Sequence, residues 1–335
     1  MNFVNESPYH LFSKYGEKDS IYPKSVLEKN DFYRSWKPYL FASGFYDFIL
    51  RKESYFEFQN KISTLAEEPN GVSLALSCMV EVNVAGGILL HSKYPNPGSH
   101  FVWDAFLGVT PPIILSVGVS EPGFEGKIKK LQSSVVSGKL TGIKSFVTNG
   151  GEANFVFWVT KSENENPVYI VPIPKESNFP YVILKESFHT DFTPHVSHLK
   201  IQVNDLPLVA ESLLIEDYGE LGMELRLKEL CSLVSLLIGK TKVLSTIDSD
   251  LNRERNKLIQ WRESFLQGFE GNPTKEMLLE GFPYPILPLL LSVTKYYQLE
   301  KPEDLKTIDP DWQLFVWEDS LTKYLTQLKK RSQSP

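Results

Sequence analysis

Hydrophobic and polar positions change their period twice along the chain. Up to about residue 110 they recur at helical spacing, most clearly over Phe32 to Arg51 and Gly71 to His91. In the second segment Leu74, Cys78 and Val82 share one face, and Gly86-Gly87 allows a close helix approach. The loop Lys93 to Ser99, with Pro95 and Pro97 flanking Asn96, closes this part. From 111 to 208 the pattern predicts short strands at Val135 to Lys139, Ser145 to Thr148, Phe155 to Thr160, Val168 to Ile173, Val182 to Phe188 and Leu199 to Val203. Leu140 to Val147 and Phe155 to Thr160 flank Asn149-Gly150-Gly151, a turn able to supply φ > 0, and so read as a β-hairpin.

After Leu208 the helical period returns. Met223, Leu227, Leu230, Cys231, Val234, Leu237 and Ile238 form one apolar stripe, and Leu314, Trp317, Leu321, Tyr324, Leu325 and Leu328 form another. Asp309 before Pro310 suits a helix start, because the carboxylate caps and proline fits the first turn. Between the stripes lie a polar helix, Leu251 to Phe269, and an apolar one, Tyr284 to Leu299. The expected fold is therefore α+β, with an N-terminal helical domain (1–110), a central antiparallel β domain (111–212) and a C-terminal helical bundle (213–335).

Composition narrows the function. With 335 residues, 42% hydrophobic and 23% charged, the chain buries a substantial core in two or three domains. A net charge of -6 with scattered Lys and Arg gives no basic surface for nucleic acid, and the one dense basic run, Lys329-Lys330-Arg331, sits in a polar tail. Met1 to Gly16 contains Glu6, Tyr9 and His10 where a secretory signal has an apolar core. Pro285 to Val293 falls short of the roughly 20 residues that cross a bilayer. Cys78 and Cys231 lie in apolar helical patterns and are expected as buried reduced thiols, so a cytoplasmic location is expected. His189, His195 and His198 cluster without a helix-spaced pair or a cysteine, and read as polar loop residues rather than metal ligands. No G-x-S-x-G elbow, Walker loop or strand-to-helix G-x-G-x-x-G is present.

One stretch is more specific. Leu140 to Trp158 reads L-T-G-I-K-S-F-V-T-N-G-G-E-A-N-F-V-F-W, and Val119-Ser120-Glu121-Pro122-Gly123 stands upstream of it. The pair resembles the middle domain of the acyl-CoA dehydrogenase family, in which a T/S-E-P-G strand end precedes L-x-G-x-K-x-W/F-I/V-T-N-G-x-x-A. Gly71 to Gly87 resembles the helix entered after D-x-S in that family, and Leu199 to Leu214 resembles its exit from the β domain. The likeness runs in order through residues 70 to 215.

The resemblance implies bound FAD, an acyl-CoA thioester substrate, and a carboxylate that removes an α proton while the flavin accepts a hydride from the β carbon. It implies that Ser120 meets the pyrimidine edge of the isoalloxazine, Phe146 packs on the ring and Thr148 bonds near N5. Glu280, in Leu278-Leu279-Glu280-Gly281, echoes the Glu-Gly that carries the base. The chain departs from the family at the phosphate loop, where Phe124-Glu125-Gly126-Lys127 replaces a small residue, Gly, Ser and Asp. The C-terminal helical domain is shortened and lacks the R-x-x-F-G-x-x-L/I phrase. Two readings follow: an FAD-dependent acyl-CoA dehydrogenase, or a non-catalytic relative serving as a structural or partner subunit. Either is expected to form homo- or hetero-oligomers.

Overall fold

The computed structural model describes residues 31–68, 70–92, 102–103, 106–107, 112–124, 127–173, 182–188, 190–270 and 286–317. The chain divides into two compact units, one drawn from 1–49, 77–190 and 195–226, the other from 50–76, 191–194 and 227–335.

The first described helix of the first unit is α1 (Phe32–Ala42). The helical pattern predicts continuation to Arg51, but the helix stops at Ala42, where Gly44 takes φ +75 and the Phe45 N–H turns back to the Leu40 carbonyl. Asp31 at the N-cap makes no side-chain cap among the described residues. Glu152, distant in sequence, does that work: its carboxylate accepts the Tyr33 and Arg34 backbone N–H groups at 3.0 and 2.6 Å.

Helix α2 (Tyr55–Leu65), unmarked in the sequence reading, belongs to the second unit and is capped by Ser54. Helix α3 (Gly71–His91) matches its predicted span and includes a π-helical stretch, Val80–Ala85. It is long and apolar enough to cross a membrane, with a mean hydropathy of 1.7, yet it is buried inside the protein.

Among the described residues eight strands follow in the first unit: β1 (Leu115–Gly118), β2 (Ser134–Val136), β3 (Lys139–Thr148), β4 (Phe155–Val159), β5 (Val168–Pro172), β6 (Val182–Phe188), β7 (His198–Pro207) and β8 (Leu213–Ile215). They form two sheets, β1-β4-β5-β8 and β2-β3-β7-β6. Every pairing is antiparallel except β1 with β4, which is parallel.

The expected hairpin is therefore absent. β3 pairs with β2 and β7, whereas β4 pairs with β1 and β5, so the Asn149 turn carries the chain from one sheet to the other. Asn149 sits at φ +63, its amide donates to the Ser77 carbonyl at 2.9 Å, and the Asn154 N–H bonds the Ile114 carbonyl just before β1. These bonds draw β4 toward β1. Leu140, Val147, Leu199, Ile201, Val203 and Leu206 of one sheet pack on Val156, Trp158 and Val171 of the other.

The second unit is helical. α4 (Gly219–Lys240) enters it at Leu227 and is followed by α5 (Lys242–Ile247), α6 (Ser249–Glu270), α7 (Ile286–Tyr296) and α8 (Trp312–Trp317). The predicted stripe from Leu227 to Ile238 is buried. Gly239 lets α4 approach α2, since a Cβ there would stand 2.1 Å from the Ser63 carbonyl. Gln59 exchanges hydrogen bonds with Ser232 and Ser235, both at 2.8 Å. Asp309 caps the start of α8 through the Asp311 N–H, as its place before Pro310 predicts. The second stripe beyond Trp317 and the loop Lys93 to Ser99 lie outside the described residues.

Candidate functional site

The three residues assigned to a flavin fall along one seam between the two sheets. Val147 of β3 is fully buried in the intersheet core, so strand alternation places Phe146 and Thr148 together on the opposite side, where both are half-buried. β1 runs into Val119-Ser120, and the Ser120 carbonyl accepts the Ser145 N–H at 2.8 Å. The Ser116 hydroxyl of β1 donates to the Thr148 carbonyl. Ser120 thus lies beside the Phe146 end of β3, and its hydroxyl, like that of Thr148, has no protein partner among the described residues. Two half-buried hydroxyls flanking an aromatic ring suit the edge and face of a flat heteroaromatic cofactor.

An ion pair underlies this seam. Lys144 and Glu121 are both buried, with Nζ 2.6 Å from Glu121 Oε1. Nζ also donates to the carbonyls of Val159 at 2.6 Å and Val119 at 3.2 Å, and lies over the Trp158 ring. Glu121 accepts the backbone N–H groups of Gln132 and Ser133. Burial pulls the Lys144 ammonium down to about 8 although Glu121 opposes it. Burial pushes the Glu121 carboxyl up, but Lys144 and the Ser133 and Gln132 bonds outweigh it and hold the group below its ordinary value.

His198 is a further occupant. It stands opposite Thr148 in the β3–β7 ladder and stacks on Phe146 with centroids 4.3 Å apart and planes 25° apart. His195 packs on Phe32 at 4.9 Å. Both histidines are buried, His195 in the turn before β7 and His198 at its first position. Among the described residues no group of three His, Cys, Asp or Glu could hold a metal ion.

A second buried network occupies the same unit. Glu81, on the π-helical stretch, accepts from Tyr33 and Tyr46 hydroxyls at 2.8 and 2.6 Å, and from Lys37 Nζ and the Leu115 N–H at 2.9 Å each. It therefore anchors the first residue of β1. Burial lowers Lys37, and burial together with Glu81 raises both tyrosines.

Glu280 lies outside the described residues, as do Glu125, Gly126 and His189. The structural role of Lys144 was missed by motif reading, although a signal existed. Counting in twos from buried Leu140 puts Lys144 on the core side of β3, where a lone charge demands a partner; a bulge between Lys144 and Val147 then shifts the alternation, so that Val147 rather than Phe146 faces the core.

No family model and no curated protein matches this sequence. The structure does find neighbours. PigA with FAD and proline superposes at a TM-score of 0.67 and 12% identity, covering 99% of each chain. The prolyl acyl carrier protein oxidase AnaB gives 0.62 at 13%, covering 89% of this chain and 86% of its own. Butyryl-CoA dehydrogenase from Megasphaera elsdenii gives 0.54 at 14%, covering 87% and 84%.

The fold is that of the acyl-CoA dehydrogenases. Within this acyl-CoA dehydrogenase fold the quoted motifs take on structure: Ser-Glu-Pro-Gly lies in the segment that leaves β1 and turns at Pro122-Gly123, and Leu-Thr-Gly-Ile-Lys-Ser-Phe-Val-Thr is the body of β3.

Proposed function

We propose that this protein is a flavoprotein of the acyl-CoA dehydrogenase type, oxidising the α,β bond of an acyl-CoA thioester. The reading is supported by the seam, where the Ser120 carbonyl accepts the Ser145 N–H next to Phe146 and the Thr148 carbonyl accepts the Ser116 hydroxyl, with Ser120, Phe146 and Thr148 all half-buried. FAD, when bound, supplies the hydride acceptor for the β carbon. The chain's residues orient and select. Ser120 and Thr148 would hold the flavin by hydrogen bonds, at its pyrimidine edge and near N5 respectively, and Phe146 would pack against the ring. Glu280 takes the α proton, on the strength of its Leu-Leu-Glu-Gly setting. PigA was solved with FAD, and the names of AnaB and butyryl-CoA dehydrogenase each specify a thioester carrier, which supports a cofactor and substrate of this class. A cytoplasmic location and an oligomeric assembly complete the reading; the two buried free cysteines agree with a reducing compartment.

The visible spectrum of the purified protein tests this directly. A stoichiometric flavin band is expected, and anaerobic addition of a panel of acyl-CoA thioesters should bleach it. A colourless protein that fails to take up added FAD would sink the reading. Glu280→Gln should retain the flavin and lose the bleaching; unchanged bleaching removes Glu280 as the base.

A further inference from the structure

The wall formed by Ser120, Phe146 and Thr148 is assembled from two different sheets. Ser120 continues β1 of one sheet, whereas Phe146 and Thr148 belong to β3 of the other. Strands within a sheet keep the spacing of their hydrogen-bond ladder, about 4.8 Å. The gap between sheets depends on the side chains packed there. Among the described residues the seam is crossed by the Ser145 N–H bond to the Ser120 carbonyl, by the Ser116 hydroxyl bond to the Thr148 carbonyl and by the contacts of Lys144.

We infer that Lys144 is a positioning residue for the cofactor wall, its ammonium tying the strand end that carries Ser120 to the strand that carries Phe146 and Thr148. The inference rests on the flavin reading above and adds to it the device that fixes the wall. Lys144 reaches Val119 and Glu121, the residues on either side of Ser120, at 3.2 and 2.6 Å, and Val159 of β4 at 2.6 Å. Glu121 passes the restraint on to Gln132 and Ser133, so the chain beyond Ser120 is held as well. Passage of the lysine stem depends on Gly118, where a Cβ would stand 2.8 Å from Lys144 Cγ.

Methionine at 144 leaves Glu121 buried without its cation and so lowers stability as well. A second core variant that lowers stability elsewhere separates that loss from an effect on the cofactor wall. A purely structural lysine predicts unchanged cofactor affinity, whereas a positioning lysine predicts a wall whose parts are misplaced.

The experiment titrates the protein, stripped of flavin, with FAD, following flavin fluorescence and the shape of the bound visible absorption band. Lys144→Met is expected to weaken FAD binding about tenfold or more, the scale on which supporting groups behind a ligand act, and to alter the band shape. Leu206→Ala, a cavity in the same intersheet core, lowers stability without touching the seam and should bind FAD as the wild type does. Equal FAD affinity and an identical band in Lys144→Met overturn the inference, as does an equal loss in Leu206→Ala. Should Lys144→Met fail to fold, Lys144→Arg retains the charge and displaces the donors. It is expected to show the same direction of change, and wild-type binding with a wild-type band overturns the inference. A wild-type protein that takes up no FAD overturns the cofactor reading and this inference with it; wild-type uptake that no substitution at 144 alters overturns this inference alone.

Discussion

At Gly118 a single missing methyl decides whether a buried cation can cross from one sheet to the other. A Cβ added there meets Lys144 Cγ at 2.8 Å and Val156 Cγ1 at 3.3 Å, and neither stem is free to swing in the packed core. Gly118→Ala is therefore expected to cost about 1–3 kcal/mol, the usual range for overpacking, read as a lower urea midpoint; an unchanged midpoint would show that the lysine stem yields. The residue types of the candidate site were legible because Ser120, Phe146 and Thr148 sit in recognisable phrases. Their support was not. Nothing local to Glu121 says that its partner is Lys144, since the pairing is made by two sheets coming together. His198 shows the same limit, for nothing in Val196-Ser197 or Leu199-Lys200 on either side of it names Phe146, its neighbour in space.

Elements were read well where one face is buried and poorly where their ends or partners were at stake. β3 and β4 both carry the right residues, yet the turn between them joins two sheets instead of closing a hairpin, because alternation assigns faces and not partners. α1 ends earlier than its pattern because Ser43-Gly44 reverses the chain. Its start shows the converse, a cap supplied by Glu152 from the Asn149 turn, with Arg34 also reaching Asn154 Oδ1 at 2.9 Å. Burial pushes the Glu152 carboxyl up from 4.5 to about 8, against the two backbone N–H groups and Arg34 that favour its charge. The folded state then holds a proton that the unfolded chain has released. The stabilisation is complete below 4.5 and is lost as the pH climbs through about 8. Between those limits the slope is at most about 1.4 kcal/mol per pH unit. Urea midpoints measured from pH 4.5 to 8 should fall in the wild type and flatten in Glu152→Gln; parallel profiles would show the carboxylate charged throughout.

At the scale of the whole molecule, a cofactor that binds only the folded chain must stabilise it by mass action. Added FAD at about 100 times its dissociation constant should contribute about 2.7 kcal/mol, seen as a concentration-dependent rise in Tm; a melting curve indifferent to FAD contradicts the flavin assignment. The order of helical, β and helical regions needed no coordinates, because the change of apolar period from 3.6 to 2 and back is a local property of the chain. The candidate flavin residues were likewise named from phrases continuous in sequence. What the sequence determined by itself was thus the order of helical and β regions and the phrases that resemble a flavin-facing strand. Only the tertiary structure decided that the β region splits into two sheets, that β1 joins β4 in parallel, and that Lys144, Glu121 and Gly118 converge behind Ser120. The physical reason is that period reports which side of a strand is buried, while the choice of partner depends on contacts between segments far apart in the chain.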